Sequence, residues 1–201
     1  MGGFSGCFAD DFSHQEAVNR SYIKEENDFP QHNTLEGGLE FLETTHIYDI
    51  WFLQLETFDP HEPFFSACEY EALYPKGSYD GPDVDWPPYG PCSESGELVD
   101  HIRRKYLALL SMCDRNLGRV LDRMDRYDMW KDTMLIVNTD HGYLLGEHQW
   151  WSKSIMPLYD EICHTPLFIW DPRCGRKGDR CDALVQTIDL APTLLDYFGL
   201  E

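Results

Sequence analysis

The chain carries few residue patterns that could do chemistry, and the clearest is Asp140-His141-Gly142, which follows the short apolar run TMLIVNT. A carboxylate and an imidazole at the end of a buried strand offer two metal donors, and the glycine after them lets the backbone turn. Two donors do not complete a site, because a hard cation such as calcium takes about six to eight ligands, mostly oxygen. Further carboxylates would have to come from elsewhere, and a plain cap for the following turn is the alternative reading of the pair. Beyond it stand His61, on the proline-bounded loop DPHEPFF, and Lys153, just after Trp150 and Trp151. A loop histidine titrates near neutrality and can hold an oxyanion or protonate a leaving group. Read without context, His61 is equally a loop residue and Lys153 a surface lysine lying along indole rings. His148 and His164 read as structural, and aromatics between Tyr79 and Tyr89 read as packing under a long loop or as a substrate wall.

The elements that would position these residues come from periodicity. LEGGLEFLETT reads as a helix, and residues 49–58 (DIWFLQLETF) read as a buried strand covered on both faces. Residues 59–96, dominated by Pro, Gly, Tyr and Asp, predict a long irregular connection of the kind that carries function. From 97 to 127 apolar residues recur along one helical face: Val99, Ile102, Tyr106, Leu109, Leu110, Cys113, Leu117, Val120, Leu121 and Met124. Residues 133–139 and 166–170 predict strands. VQTIDLAPTLLDYFGL predicts a strand piece and then a helix starting near Asp189 or Pro192. Residues 1–38 are polar and irregular, and 39–201 hold sheet and helices, so 1–201 reads as a single domain. Strand, long helix, strand is an α/β unit, and a mostly parallel sheet flanked by helices is the expected architecture. In such sheets ligands bind at the carboxyl ends of strands, where Asp140-His141 falls.

At 201 residues and 42% hydrophobic, the chain has the material for a globular core. Its 16 Lys and Arg against 36 Asp and Glu give a formal charge of −20, which argues against a nucleic-acid partner. An anionic substrate would have to be met by a local positive site. The 7 cysteines include no CxxC pair, and only Cys174 and Cys181 are spaced for a loop disulfide. No apolar run is long enough to span a membrane, and the start lacks the basic and apolar regions of a signal peptide. As written the chain would be cytoplasmic, or periplasmic or secreted if an export segment precedes it.

Four ordered blocks, FLQLETFDPHEPF, TMLIVNTDHGYLLGEHQWWSKS, HTPLFIWDP and VQTIDLAPTLLDYFGL, resemble the sulfatase branch of the alkaline-phosphatase-like metallohydrolases. The likeness runs over roughly residues 40 to 200. It implies an α/β fold corresponding to part of a three-layer α/β/α domain, hydrolysis of sulfuric esters, and a divalent metal, calcium above others. It places metal coordination on Asp140 and His141 and sulfate contacts on Lys153 and His61. The implied partner is a small-molecule or carbohydrate sulfate ester, with no nucleic acid and no membrane. The sequence departs from the family where the nucleophile belongs: no Cys or Ser stands in a C/S-x-P-x-R motif of the kind converted to formylglycine. Asp10-Asp11 is a poor substitute for the family's first metal-binding aspartates, because GGFSGCFA is no buried strand. The expectation is therefore an incomplete chain, inactive alone, completed by a missing N-terminal half or assembled as a homo-oligomer. A phosphodiester or phosphonate hydrolase of the same superfamily, or a truncated binding homologue, are the alternatives.

Overall fold

The structure, a computed structural model, describes residues 29–200; Cys7 and Asp10-Asp11 lie outside them. The chain divides into two compact units, one holding 29–129 and 144–156, the other 130–143 and 157–200. Among the described residues no helix is long and apolar enough to cross a membrane.

The first unit is built on two helices. Helix α1 (Pro30–Thr45) begins at a proline whose fixed φ suits a first turn, and buries Leu35, Leu39 and Leu42 at helical spacing. It starts earlier than LEGGLEFLETT suggests, inside the stretch expected to be irregular. Four residues form the short helix α2 (Cys68–Glu71). The long helix α3 (Gly96–Arg126) lies within a residue of the expected span. Ser95 caps it by accepting from the Leu98 N–H, and Glu97 at its start with Arg123 and Arg126 at its end complement the helix dipole. Its buried side includes Ile102, Leu109, Met112, Val120 and Met124. α1 and α3 are stitched by polar contacts, with Asn116 donating to Gln31 at 2.6 Å and Gln31 to the Cys113 thiol at 3.1 Å.

Residues 51–58 run extended beside α1 but join no ladder among the described residues, so the expected buried strand is not one. Trp51, Leu53 and Leu55 are half-buried, while Phe52 and Phe58 are exposed. One face packs on α1, where a Cβ at Gly38 would lie 2.4 Å from a Leu55 methyl, and the other is uncovered among the described residues. The irregular stretch after it is tied to α3 at several points. Lys105, itself buried, places its ammonium 2.8 Å from Asp83 and 3.3 Å from Glu71, and the Tyr74 hydroxyl meets Ser111 at 2.9 Å. Strands β1 (Gly90–Pro91), β3 (Leu144–Leu145) and β4 (Trp150–Ser152) form a small antiparallel sheet in the order β1-β4-β3. Trp151, wholly buried, sits at its centre and donates its indole N–H to Glu94 at 2.7 Å.

In the second unit β2 (Leu135–Asn138) pairs with β5 (Leu167–Trp170) in antiparallel register, Leu135 opposite Trp170 and Asn138 opposite Leu167. Helix α4 (Asp160–Cys163) precedes β5. Helix α5 (Leu190–Tyr197) is entered through a 3₁₀ turn at Thr187–Asp189, where Asp189 accepts from the Gln186 N–H at 2.8 Å. Asp189 is thus the start signal the sequence suggests, although 183–186 pair with no strand among the described residues. Every ladder described is antiparallel, where a mostly parallel sheet was expected. The parallel sheet was expected from the order strand, long helix, strand, yet Phe168 and Ile169 of β5 are exposed, and a strand covered on one side carries no requirement for parallel neighbours. Cys174 and Cys181 are free, exposed thiols, so the loop disulfide their spacing allows is not formed.

Candidate functional site

In the first unit, the loop 59–66 is held from below. Phe64 is buried against the edge of Tyr106, and its N–H donates to the Asp85 carbonyl at 2.7 Å. This anchor fixes the two residues before it. His61 turns back under Phe58, ring centroids 4.2 Å apart, with its N–H on the Phe58 carbonyl at 3.1 Å. Its Nδ1 lies 2.7 Å from the Glu62 carbonyl oxygen. That oxygen can only accept, so Nδ1 carries a proton and Nε2 is the ring nitrogen left for a ligand.

Glu62 is a residue that sequence reading missed. Its side chain is 0% exposed, and three groups surround its carboxylate. The Tyr89 hydroxyl donates to Oε1; His61 Nδ1 stands 3.3 Å and Lys153 Nζ 3.8 Å from Oε2. The two positions that the resemblance marks as sulfate contacts, His61 and Lys153, far apart in the sequence, therefore meet across one buried carboxylate. Burial first, and then the bond to Glu62, push the Tyr89 hydroxyl well above the usual phenol range, so it stays a donor. A glutamate between His61 and Pro63 was legible in the sequence, but nothing there showed that it would be buried.

Lys153 is delivered by a backbone under strain. Ser152 and Ser154 on either side of it have φ of 77° and 92°, and His148 and Gln149 upstream have 54° and 63°. Non-glycine residues rarely enter this region, and such clusters persist only where surrounding contacts over-determine them. Those contacts are present: Trp151 is locked in the small sheet, Arg103 donates to the Leu145 carbonyl at 2.8 Å, and Glu147 bonds both Arg103 and the Leu145 N–H. The Lys153 side chain is 13% exposed and that of His61 29%. Asp59, two residues before His61, is a further carboxyl on this loop, and burial pushes its pKa up to about 6.

In the second unit, Asp140 and His141 follow β2 as expected, but they are open to solvent, at 81% and 41% exposure of their side chains. Partial burial pushes the Asp140 carboxyl up, but the His141 N–H at 2.8 Å and the imidazole beside it outweigh this, and Asp140 titrates below the usual carboxylate range. His141 Nδ1 lies 2.9 Å from the Gly142 carbonyl, so Nε2 holds the lone pair, 3.5 Å from Asp140 Oδ2. An imidazole that donates its other N–H to a backbone carbonyl is in the tautomer that ligates metals, and the ionised carboxylate beside it is the matching oxygen donor. The pair therefore fits a divalent ion as two of its ligands. Among the described residues no group of three or more His, Cys, Asp and Glu is placed to hold one. Gly142 is needed for close approach rather than for a turn, because a Cβ there would lie 1.7 Å from the Glu161 carbonyl oxygen. His164 follows α4 at the surface, and His148 belongs to the strained stretch before β4.

The first unit thus holds an ammonium and an imidazole beside a buried carboxylate, and the second an Asp-His donor pair at a strand end. The sequence model of the Sulfatase family matches residues 2–200, and the chain belongs to that family. It is 36% identical over 98 residues to an N-acetylglucosamine-6-O-sulfatase of Bacteroides thetaiotaomicron, which covers 49% of the chain and 17% of that protein. It is 35% identical over 170 residues to a sulfatase of Formosa agariphila, covering 75% of the chain and 33% of the relative. The crystal structure of yidJ from Bacteroides fragilis superposes with a TM-score of 0.70 at 22% identity, over 85% of the chain and 37% of that structure. That likeness extends the α/β fold to this chain. The chain thus spans about a third or less of the curated relatives' length.

Proposed function

We propose that the chain is the later part of a metal-dependent sulfuric ester hydrolase, acting on sulfated carbohydrates. The observation that carries this reading is the meeting of His61 and Lys153 at Glu62, which gathers an ammonium and an imidazole, the donor types an oxyanion requires, at one place in a molecule of net charge −20. Sulfate-ester cleavage places charge on the non-bridging and leaving oxygens in the transition state. The Lys153 ammonium stabilises the first electrostatically, and His61, once its ring carries a second proton, donates Nε2–H to a sulfate oxygen or gives that proton to the departing alkoxide. Asp140 and His141 would hold a divalent ion, for which we propose calcium; such an ion, when bound, would supply Lewis-acid chemistry. The attacking group is not among the residues of this sequence, which has no C/S-x-P-x-R motif. We therefore propose that the chain binds the anion but turns over no ester by itself.

The relative acting on N-acetylglucosamine 6-O-sulfate supports a hexosamine 6-sulfate as the first substrate to try. Isothermal titration of the chain with glucosamine 6-sulfate, glucosamine 6-phosphate and unmodified glucosamine tests the reading. Binding of the sulfate, weakened in Lys153→Met and in His61→Ala, is the expected result. Preference for the phosphate would make the phosphoryl hydrolase the better reading, and no binding of either anion would end the case for an oxyanion site.

A further inference from the structure

The loop that carries His61 places a carboxylate where a sulfate-binding reading does not want one. An anion beside an anion site repels the ligand, and burying a carboxylate is costly unless it is paired. Glu62 is nonetheless wholly buried, and its Oε2 accepts no hydrogen bond of good geometry among the described residues. What faces that atom are the His61 Nδ1 at 3.3 Å and the Lys153 ammonium at 3.8 Å. The other oxygen takes the Tyr89 hydroxyl, which comes from the far end of the long irregular stretch next to β1. Three segments distant in sequence, 59–66, 79–91 and 150–156, are therefore gathered on one carboxylate. Lys153 is set among them by a backbone in which Ser152 and Ser154 on either side are left-handed.

We propose that Glu62 is a positioning residue that holds the His61 imidazole and the Lys153 ammonium side by side as one oxyanion-binding pair. The inference rests on the sulfate reading above and deepens it. A flexible lysine loses rotamer freedom whenever it binds, and a partner that fixes it beforehand removes that cost from the binding step. His61 gains a fixed ring plane in the same way, with Nδ1 turned to the Glu62 backbone and carboxylate and Nε2 turned away. Tyr89 completes the arrangement by satisfying the oxygen that neither cation faces.

The sign of the effect separates positioning from background electrostatics. Glu62→Gln keeps an acceptor for Tyr89 and deletes one negative charge. If Glu62 were only a nearby anion, its loss would tighten sulfate binding. If it positions the pair, its loss weakens binding, by about fivefold to tenfold on the scale of charge pairs at binding sites. The experiment is a titration of the 201-residue chain with inorganic sulfate, followed by calorimetry, for wild type, E62Q, Lys153→Met and the double variant. Thermal melts check the fold of each, and Glu36→Gln serves as the control for removal of a remote charge. The expected result is weaker binding in E62Q, with a smaller further loss when E62Q is added to Lys153→Met, where only His61 remains to be positioned. Unchanged or tighter binding in E62Q overturns the proposal, and so does an equal loss in both backgrounds, which would mark Glu62 as a structural residue only. Should E62Q fail to fold, Glu62→Asp decides: it keeps the charge but withdraws it by one methylene, and unchanged affinity there overturns the proposal. A wild-type chain that ignores sulfate sinks the function reading itself, and this inference with it.

Discussion

Asp59 shows how one carboxyl can set the pH response of the loop that carries His61. Burial raises its pKa from 3.8 to about 6, so the folded protein holds this proton more tightly than the unfolded chain does. A carboxyl raised in this way contributes stability that is fully present below the unfolded pKa and is lost as pH rises through the folded one. The window is therefore about pH 4 to 6, and a shift of roughly two units corresponds to about 3 kcal/mol at most. Urea midpoints measured across that window should fall with rising pH. Asp59→Asn, which keeps the size and removes the titration, should flatten this part of the profile, and an unchanged slope would show that Asp59 is ionised in the fold without cost. Asp140 works in the opposite sense. Its carboxyl is held below the ordinary range by His141, so it is already anionic at neutral pH and needs no proton release to take a cation. Asp140→Ala should abolish calcium binding by the chain in a calorimetric titration, whereas Cys113→Ala, on α3 in the other unit, should leave it intact. Equal loss from both would report unfolding rather than a ligand.

Among the elements, glycines separate two kinds of constraint that look alike in the sequence. At Gly142 a Cβ would meet the Glu161 carbonyl oxygen, which is backbone and cannot step aside. Gly142→Ala should therefore cost several kcal/mol, in the upper range for a single substitution, and displace the neighbouring Asp140-His141 pair. Gly118 in α3 has nothing within 4 Å of the added Cβ. Gly118→Ala should raise stability by about 1 kcal/mol, because alanine is the better helix former. Thermal melts of the two variants should move in opposite directions. The same contrast explains what could be read beforehand. α3 was legible because one long apolar face sets a strong 3.6-residue period, and it was found within a residue of the expected span. The run 49–58 was not, because an apolar stretch with alternating exposure satisfies the pattern of a strand whether or not a neighbour pairs with it. His61 and Lys153 could be named from motif resemblance. Glu62 and Tyr89 could not, since their roles arise from burial and from contacts between segments far apart in the chain.

At the scale of the whole molecule, the excess of 36 acidic over 16 basic residues sets two effects against each other. Like charges spread over a compact surface repel, and salt screens that repulsion over a Debye length of about 8 to 10 Å at physiological ionic strength. Raising sodium chloride from about 10 to 300 mM should therefore raise the melting temperature by a few degrees. The sulfate site responds differently. Its cations are partly buried, the ligand arrives through solvent, and the field it crosses is net repulsive, so screening acts on both the local attraction and the global repulsion. If the pair held by Glu62 dominates, sulfate affinity should fall as chloride rises while stability climbs. If the acidic surface dominates, affinity and stability should rise together. The local reading predicts the first outcome, because the ion pairs at 3.3 and 3.8 Å lie well inside the screening length, whereas most of the surface charge does not. Parallel titrations and melts at three salt concentrations decide between them, and a joint rise would mean that anion capture by this molecule is governed by its overall charge rather than by the Lys153–His61 pair.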